Sequence, residues 1–224
     1  MKKKNKKTAG KIGQSGEKVK AFLVELRRAD WYLLGALAFG VVSAFFSNQE
    51  KLSLALGFLL LAIMVSFMAE KEAHRREEVH RFTAMLEGLV KAMIFLVAPG
   101  IFLYHWHFRG PLEEAMIILF ILSGILRISA TQHLNNAGHF ETTGRDRGMP
   151  VFAPSFLIIF FYLISPYISI KILNPVFAVS LGAFSILMLT NLKMPFLHAI
   201  RRTPWVYAIL AVFFAVFVFV QFKP

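Results

Sequence analysis

Seven apolar runs, separated by short polar or charged breaks, leave this chain few ways to fold. They cover residues 31–46, 52–69, 82–104, 112–130, 151–164, 175–190 and 204–222. A helix needs about 20 apolar residues to cross a hydrocarbon core about 30 Å thick. Inside that core every backbone polar group must be satisfied within the chain, which leaves helices or closed barrels. Long apolar runs with no period-two alternation select helices. The expected fold class is therefore all-α, a polytopic membrane helical bundle. With 57% hydrophobic residues and 24 Phe in 224 residues, the chain has more apolar side chain than a water-soluble core would use.

The breaks between the runs carry the charge. With the N-terminus placed in the cytoplasm, the inner side collects Lys71, Arg75, Arg76, Arg81, Arg127, Arg145, Arg147, Lys193, Arg201 and Arg202 together with the basic tail. The outer side keeps Lys51, Arg109, Lys171 and Lys223. This is the bias expected of a membrane protein with a cytoplasmic N-terminus. It accounts for the net charge of +12 without a nucleic-acid partner. Absence of cysteine excludes disulfides and thiolate metal sites.

Residues 1–20 read as a basic cytoplasmic tail, either a topology signal or a segment drawn to anionic headgroups at about 1 kcal/mol per basic residue. Residues 21–30 follow as an amphipathic interfacial helix, on the spacing of Val19, Phe22, Leu23 and Leu26. His105 and His107, in the aromatic outer turn 104–111, form at most a weak metal signal, and Tyr104, Trp106 and Phe108 there suit an interfacial belt.

The stretch 66–99 has the most chemistry in it. Glu87 and Lys91 lie one turn apart within the third apolar run. Ionisable groups at membrane depth are costly and mark a protein cavity or a functional site. The other reading is an ordinary i,i+4 Glu–Lys pair near a helix end. Glu70, Glu72, Glu77 and Glu78, with His74 and His80, alternate with Lys71, Arg75, Arg76 and Arg81. They read as a solvated ion-pair segment or, alternatively, as displaced metal ligands. His133, His139, Glu141 and Asp146 present the same choice in the next inner loop.

The run FTAMLEGLVKAMIFLVAPG at 82–100 resembles the bacterial phosphatidylserine synthase branch of the CDP-alcohol phosphatidyltransferases. There the pattern reads F-G-x-E-L-D-S-L-A-D-x-V-S-F-G-V-A-P-A, and Phe82, Leu86, Leu89, Phe95, Val97, Ala98 and Pro99 fall in register. SGILRISATQ at 123–132 is similar to C-G-A-L-R-L-A-R-F-N through Gly124, Leu126 and Arg127. RGMPVFAPS at 147–155 is similar to G-L-P-I-P-A-A-A through Gly148, Pro150 and Ala153. LMLTNLKMPF at 187–196 is similar to L-M-V-S-x-x-R-Y-P-S through Leu187, Met188 and Pro195.

The resemblance implies a six-span core over residues 31–196 and one extra span over 197–224. It also implies a bacterial inner-membrane location, a homodimer or a partner synthase, and CDP-diacylglycerol or another anionic phospholipid as ligand. The family's D-x-x-D-G-x-x-A-R-x8-G-x-x-x-D-x-x-x-D motif holds the divalent metal that neutralises a pyrophosphate and the leaving CMP. Laid on this chain, its four Asp positions fall on Ser66, Ala69, Glu87 and Lys91. Only Glu87 keeps a carboxylate, and the position of the base that activates the incoming hydroxyl carries a cation. The expectation is a catalytically degenerate relative that needs no cofactor, with Mg2+ or Mn2+ at Glu87 only if activity survives. The alternatives are an active transferase with displaced acids and a purely structural membrane protein. Arg127, Arg145, Arg147 and Gly148 are the candidate headgroup contacts, since Arg offers a planar fork of donors. Positive-inside topology accounts for the same arginines.

Overall fold

A computed structural model describes residues 26–74, 81–136, 149–190 and 204–222. All elements in the described residues are helical: α1 (Arg28–Asn48), α2 (Leu52–His74), α3 (Arg81–Ala92), α4 (Ala98–His105), α5 (Pro111–Asn136), α6 (Ala153–Ile164), α7 (Ile170–Leu189) and α8 (Pro204–Phe222). A π turn, Met93–Val97, joins α3 to α4, and a 3-10 turn, Ser165–Tyr167, ends α6. Five helical segments are long and apolar enough to cross a membrane: Arg28–Asn48, Leu52–Glu72, Phe82–His105, Pro111–His133 and Ile170–Leu189. Two further apolar segments, Ala153–Tyr167 and Ala208–Phe219, are shorter.

Small residues set how closely α1 and α2 approach. Ala36, Gly40, Ser43 and Ser47 recur at helical spacing on the buried face of α1. The Ser43 hydroxyl donates across to Ala55 O at 2.7 Å. Where lipid tails are as apolar as leucine, close backbone approach and interhelical hydrogen bonds drive association. The same logic shapes the third run, which passes between the α1/α2 pair and α5. Pro99 has no N–H to give Phe95 O, and its ring crowds that carbonyl. The helix widens there, and Ala98 N–H reaches back to Met93 O.

α8 lies along α2, with Phe214 and Phe217 over Gly57 and the Phe217 ring 5.9 Å from Tyr162. The outer faces of the bundle are apolar as well as its core. Ser43, Ser47, Ser66, Ser123, Ser155 and Ser185 are buried, whereas Phe45, Leu122, Val179 and Phe219 are exposed.

Several element ends differ from expectation. α2 continues past its apolar run to His74, because Glu70, Lys71 and Glu72 are good helix formers. α5 continues beyond residue 130 to Asn136. α7 opens at Ile170, where Ser169 O accepts the N–H groups of Ile172 and Leu173, so Pro175 lies inside the helix rather than starting it. Residues 28–30, expected in an interfacial helix, are the first turn of α1. The remainder of that expected helix up to residue 25, and the basic tail, lie outside the described residues.

A candidate polar site between α2 and α3

The extension of α2 carries Glu70 into the bundle. Expected in a solvated segment, it is buried at 7% exposure, and the correction follows from its helical phase. Glu70 lies four residues after Ser66, so both occupy one face of α2, and Ser66 is fully buried. From α3, Lys91 reaches the same place. Its Nζ lies 2.6 Å from Glu70 Oε1 and 2.5 Å from Glu87 Oε1. One ammonium thus ties a buried carboxylate on α2 to its own i,i+4 partner on α3. Lys91 and Glu87 keep 23% and 29% of their side-chain surface, so the cluster sits at a mouth rather than in sealed interior.

Two further polar groups stand near this level. The Ser66 hydroxyl has no hydrogen-bond partner among the described residues, and neither does the Ser155 hydroxyl on α6, also fully buried. The Phe67 and Phe152 rings, 5.3 Å apart, bring those stretches of α2 and α6 together. Asp30 is buried at 1% exposure. Its Oδ2 accepts the Arg27 N–H at 2.9 Å, closing the start of α1 where a negative charge is favoured. The α1/α2 register, with Ser43 beside Ala55 and Gly35 beside Val65, sets Asp30 level with Ala69 and Glu70.

The expected site residues divide cleanly. Ser66, Glu87 and Lys91 share the α2–α3 side of the bundle. Ala69 is buried at 2% exposure and brings only a methyl group. Arg127 is half-buried on α5, and the α3/α5 register, Gly124 against Leu96 and Gln132 against Gly88, sets it level with the Lys91 turn. Gln132 Nε2 donates to Ala84 O at 2.8 Å and locks that register. Arg145, Arg147 and Gly148 lie outside the described residues, as do Glu77, Glu78, His80, His139, Glu141 and Asp146. His133 ends α5 in an exposed position. His105 Nδ1 pairs with Ile101 O at 2.9 Å.

Asp30 is a residue that sequence reasoning missed, and Glu70 entered it only among the candidate displaced ligands of a segment read mainly as solvated. Glu70 sits one position past the second aspartate of the motif, inside a charged segment, and only the length of α2 turns it inward. Asp30 precedes an apolar run and reads as a flanking charge.

The implied divalent metal does not fit the residues as they stand. Such a metal takes carboxylate oxygens at roughly 2.0–2.6 Å. Both available carboxylates are already held by the Lys91 ammonium, in the place a cation would take. Among the described residues, no group of three or more His, Asp or Glu side chains is placed to hold a metal ion.

No protein-family model matches the chain, and no curated protein sequence matches it. Fold and site together define an all-helical protein, with five helices fit to cross a membrane and a lysine-bridged carboxylate pair at one end of the bundle.

Proposed function

We propose that this chain is an integral membrane relative of the CDP-alcohol phosphatidyltransferases that binds a phospholipid or CDP-diacylglycerol headgroup without transferring it. One observation carries the reading: Lys91 lies between Glu70 and Glu87, where the family's chemistry requires a divalent cation. The tethered ammonium offsets one of the two carboxylate charges and offers no Lewis acid for a departing nucleotide phosphate. The six-plus-one span count, a cytoplasmic N-terminus in a bacterial inner membrane, and a role beside a homodimer partner or an active synthase all belong to this proposal. The arginines at 127, 145 and 147 supply its headgroup donors. A second reading rests on Glu70, which raises the converging carboxylates from one to two: an active transferase built from displaced acids.

The deciding experiment measures CMP release from CDP-diacylglycerol by the purified protein, with Mg2+ or Mn2+, with and without serine. The proposal expects saturable binding of the CDP-lipid and no CMP. Metal-dependent release that disappears in both Glu70→Gln and Glu87→Gln would establish the second reading instead. Absence of both binding and release would leave a purely structural membrane protein.

A further inference from the structure

The opposite end of the bundle holds a cavity of about 140 Å³, between the α4–α5 turn and the corner joining α6 to α7. One water needs only about 10–15 Å³ measured in this way. Trp106 and His107 form one wall, Ser165 another, and Ile170, Leu173 and Asn174 of α7 complete the lining.

The wall is rich in donors. The Trp106 ring is packed against Phe102, Tyr162 and Phe177, with centroids 5.9, 5.5 and 6.0 Å away. Its indole N–H has no acceptor among the described residues. Asn174 Nδ2 donates to His107 O at 3.2 Å, leaving a second amide N–H to spare. His107 itself takes φ 63°, the left-handed turn that ends α4 as the Phe108 N–H reaches back to Leu103 O. The imidazole is left exposed. α7 begins at this cavity with Ile170, so its positive helix end faces the space, and the exposed Lys171 follows. α4 and α6 both end at this cavity, and their carbonyls Phe102 O, Leu103 O and Tyr162 O are hydrogen-bonded within the chain. No carboxylate lines the cavity.

Donors and a helix N-terminus, with no carboxylate in the lining, suit a phosphate. The setting, among Tyr104, Trp106 and Tyr167, is an aromatic belt at headgroup depth. We propose that this cavity binds the phosphodiester of a phospholipid headgroup, through Trp106 Nε1–H, the His107 imidazole and the Asn174 carboxamide. The site is separate from the Lys91 cluster and does not depend on the function proposed for it.

The test uses the full chain in maltoside detergent with Trp31→Phe and Trp205→Phe, which leaves Trp106 as the sole tryptophan of three. Dihexanoylphosphatidylglycerol, inorganic phosphate and dihexanoylglycerol are titrated separately while Trp106 emission is followed. The expected result is a saturable shift with the phospholipid and none with dihexanoylglycerol. Asn174→Leu should weaken the response at least tenfold, and His107→Gly, which keeps the left-handed backbone and removes the exposed imidazole, checks this with little risk to folding. A matching response to inorganic phosphate supports the phosphate site and identifies the free anion as sufficient. A response to the phospholipid alone supports it and assigns part of the binding to the glycerol and acyl region. No saturable shift with either phosphate-bearing probe, or unchanged affinity in both variants, overturns the proposal.

Discussion

Lys91 is the residue on which the candidate site balances. Removing one partner from a buried ion pair costs about 3–5 kcal/mol, because the charge left behind stays desolvated. Lys91 keeps 23% of its surface, so water softens that figure. Lys91→Met is expected to cost about 1–3 kcal/mol. It should lower the melting temperature in detergent, and adding Glu70→Gln should recover part of the loss. Such non-additivity is the signature of groups in direct contact. Lys91→Asp goes further and replaces the tethered cation with a third carboxylate beside Glu70 and Glu87. Mn2+ titration followed by calorimetry should then show tighter binding than in the unaltered protein. Equal Mn2+ affinity in the two proteins would show that Lys91 does not occupy a cation's place. At this scale the sequence made part of the site legible. The i,i+4 spacing of Glu87 and Lys91 announces their pairing. Glu70 and Asp30 were hidden, because a carboxylate beside an apolar run looks the same whether its helix stops short or carries it inward.

At the scale of the element, apolar runs placed the helices of the described residues and misplaced several ends. Helix ends are decided by capping, tertiary contacts and the formers just past the apolar stretch, and hydropathy is blind to all three. The π turn at Met93–Val97 is instead a local consequence of Pro99. Close approach of α3–α4 to α5 depends on Gly124. A Cβ at that position would run into the Leu96 side chain, and Leu96 is fully buried with little room to turn. Gly124→Ala should therefore destabilise the bundle by about 1–3 kcal/mol, the usual cost of overpacking. The check is a melt in detergent beside Gly35→Ala, where the nearest atom, Val65 Cγ1, lies at an ordinary 3.9 Å and little loss is expected.

The whole molecule is arranged for a solvent that is apolar around its middle and aqueous at its ends. Leu, Val and Phe are exposed on α5, α7 and α8, whereas Ser66 and Glu70 are buried within the bundle. The asymmetry of loop charge proposes a direction for this arrangement, with the N-terminus inside. Because the chain has no cysteine, single cysteines introduced at Asn48 and at Glu141 provide a clean test. A membrane-impermeant maleimide added to intact cells should label the position-48 variant, and should label the position-141 variant only after the membrane is opened. The reverse pattern would invert the orientation.

By itself the sequence determined the class of fold and the Glu87–Lys91 pair. Hydrophobic run length and i,i+4 spacing are properties of the chain before it packs. Tertiary structure alone decided that Lys91 answers to Glu70 on another helix as well as to Glu87 on its own. It alone brought Asp30 to that level, and gathered Trp106, His107 and Asn174 around one cavity. These groups are 21 and 67 residues apart in the pairs Glu70–Lys91 and His107–Asn174. Their meeting is set by the rotation and depth of each helix against its neighbours, which the order of residues along one helix does not contain.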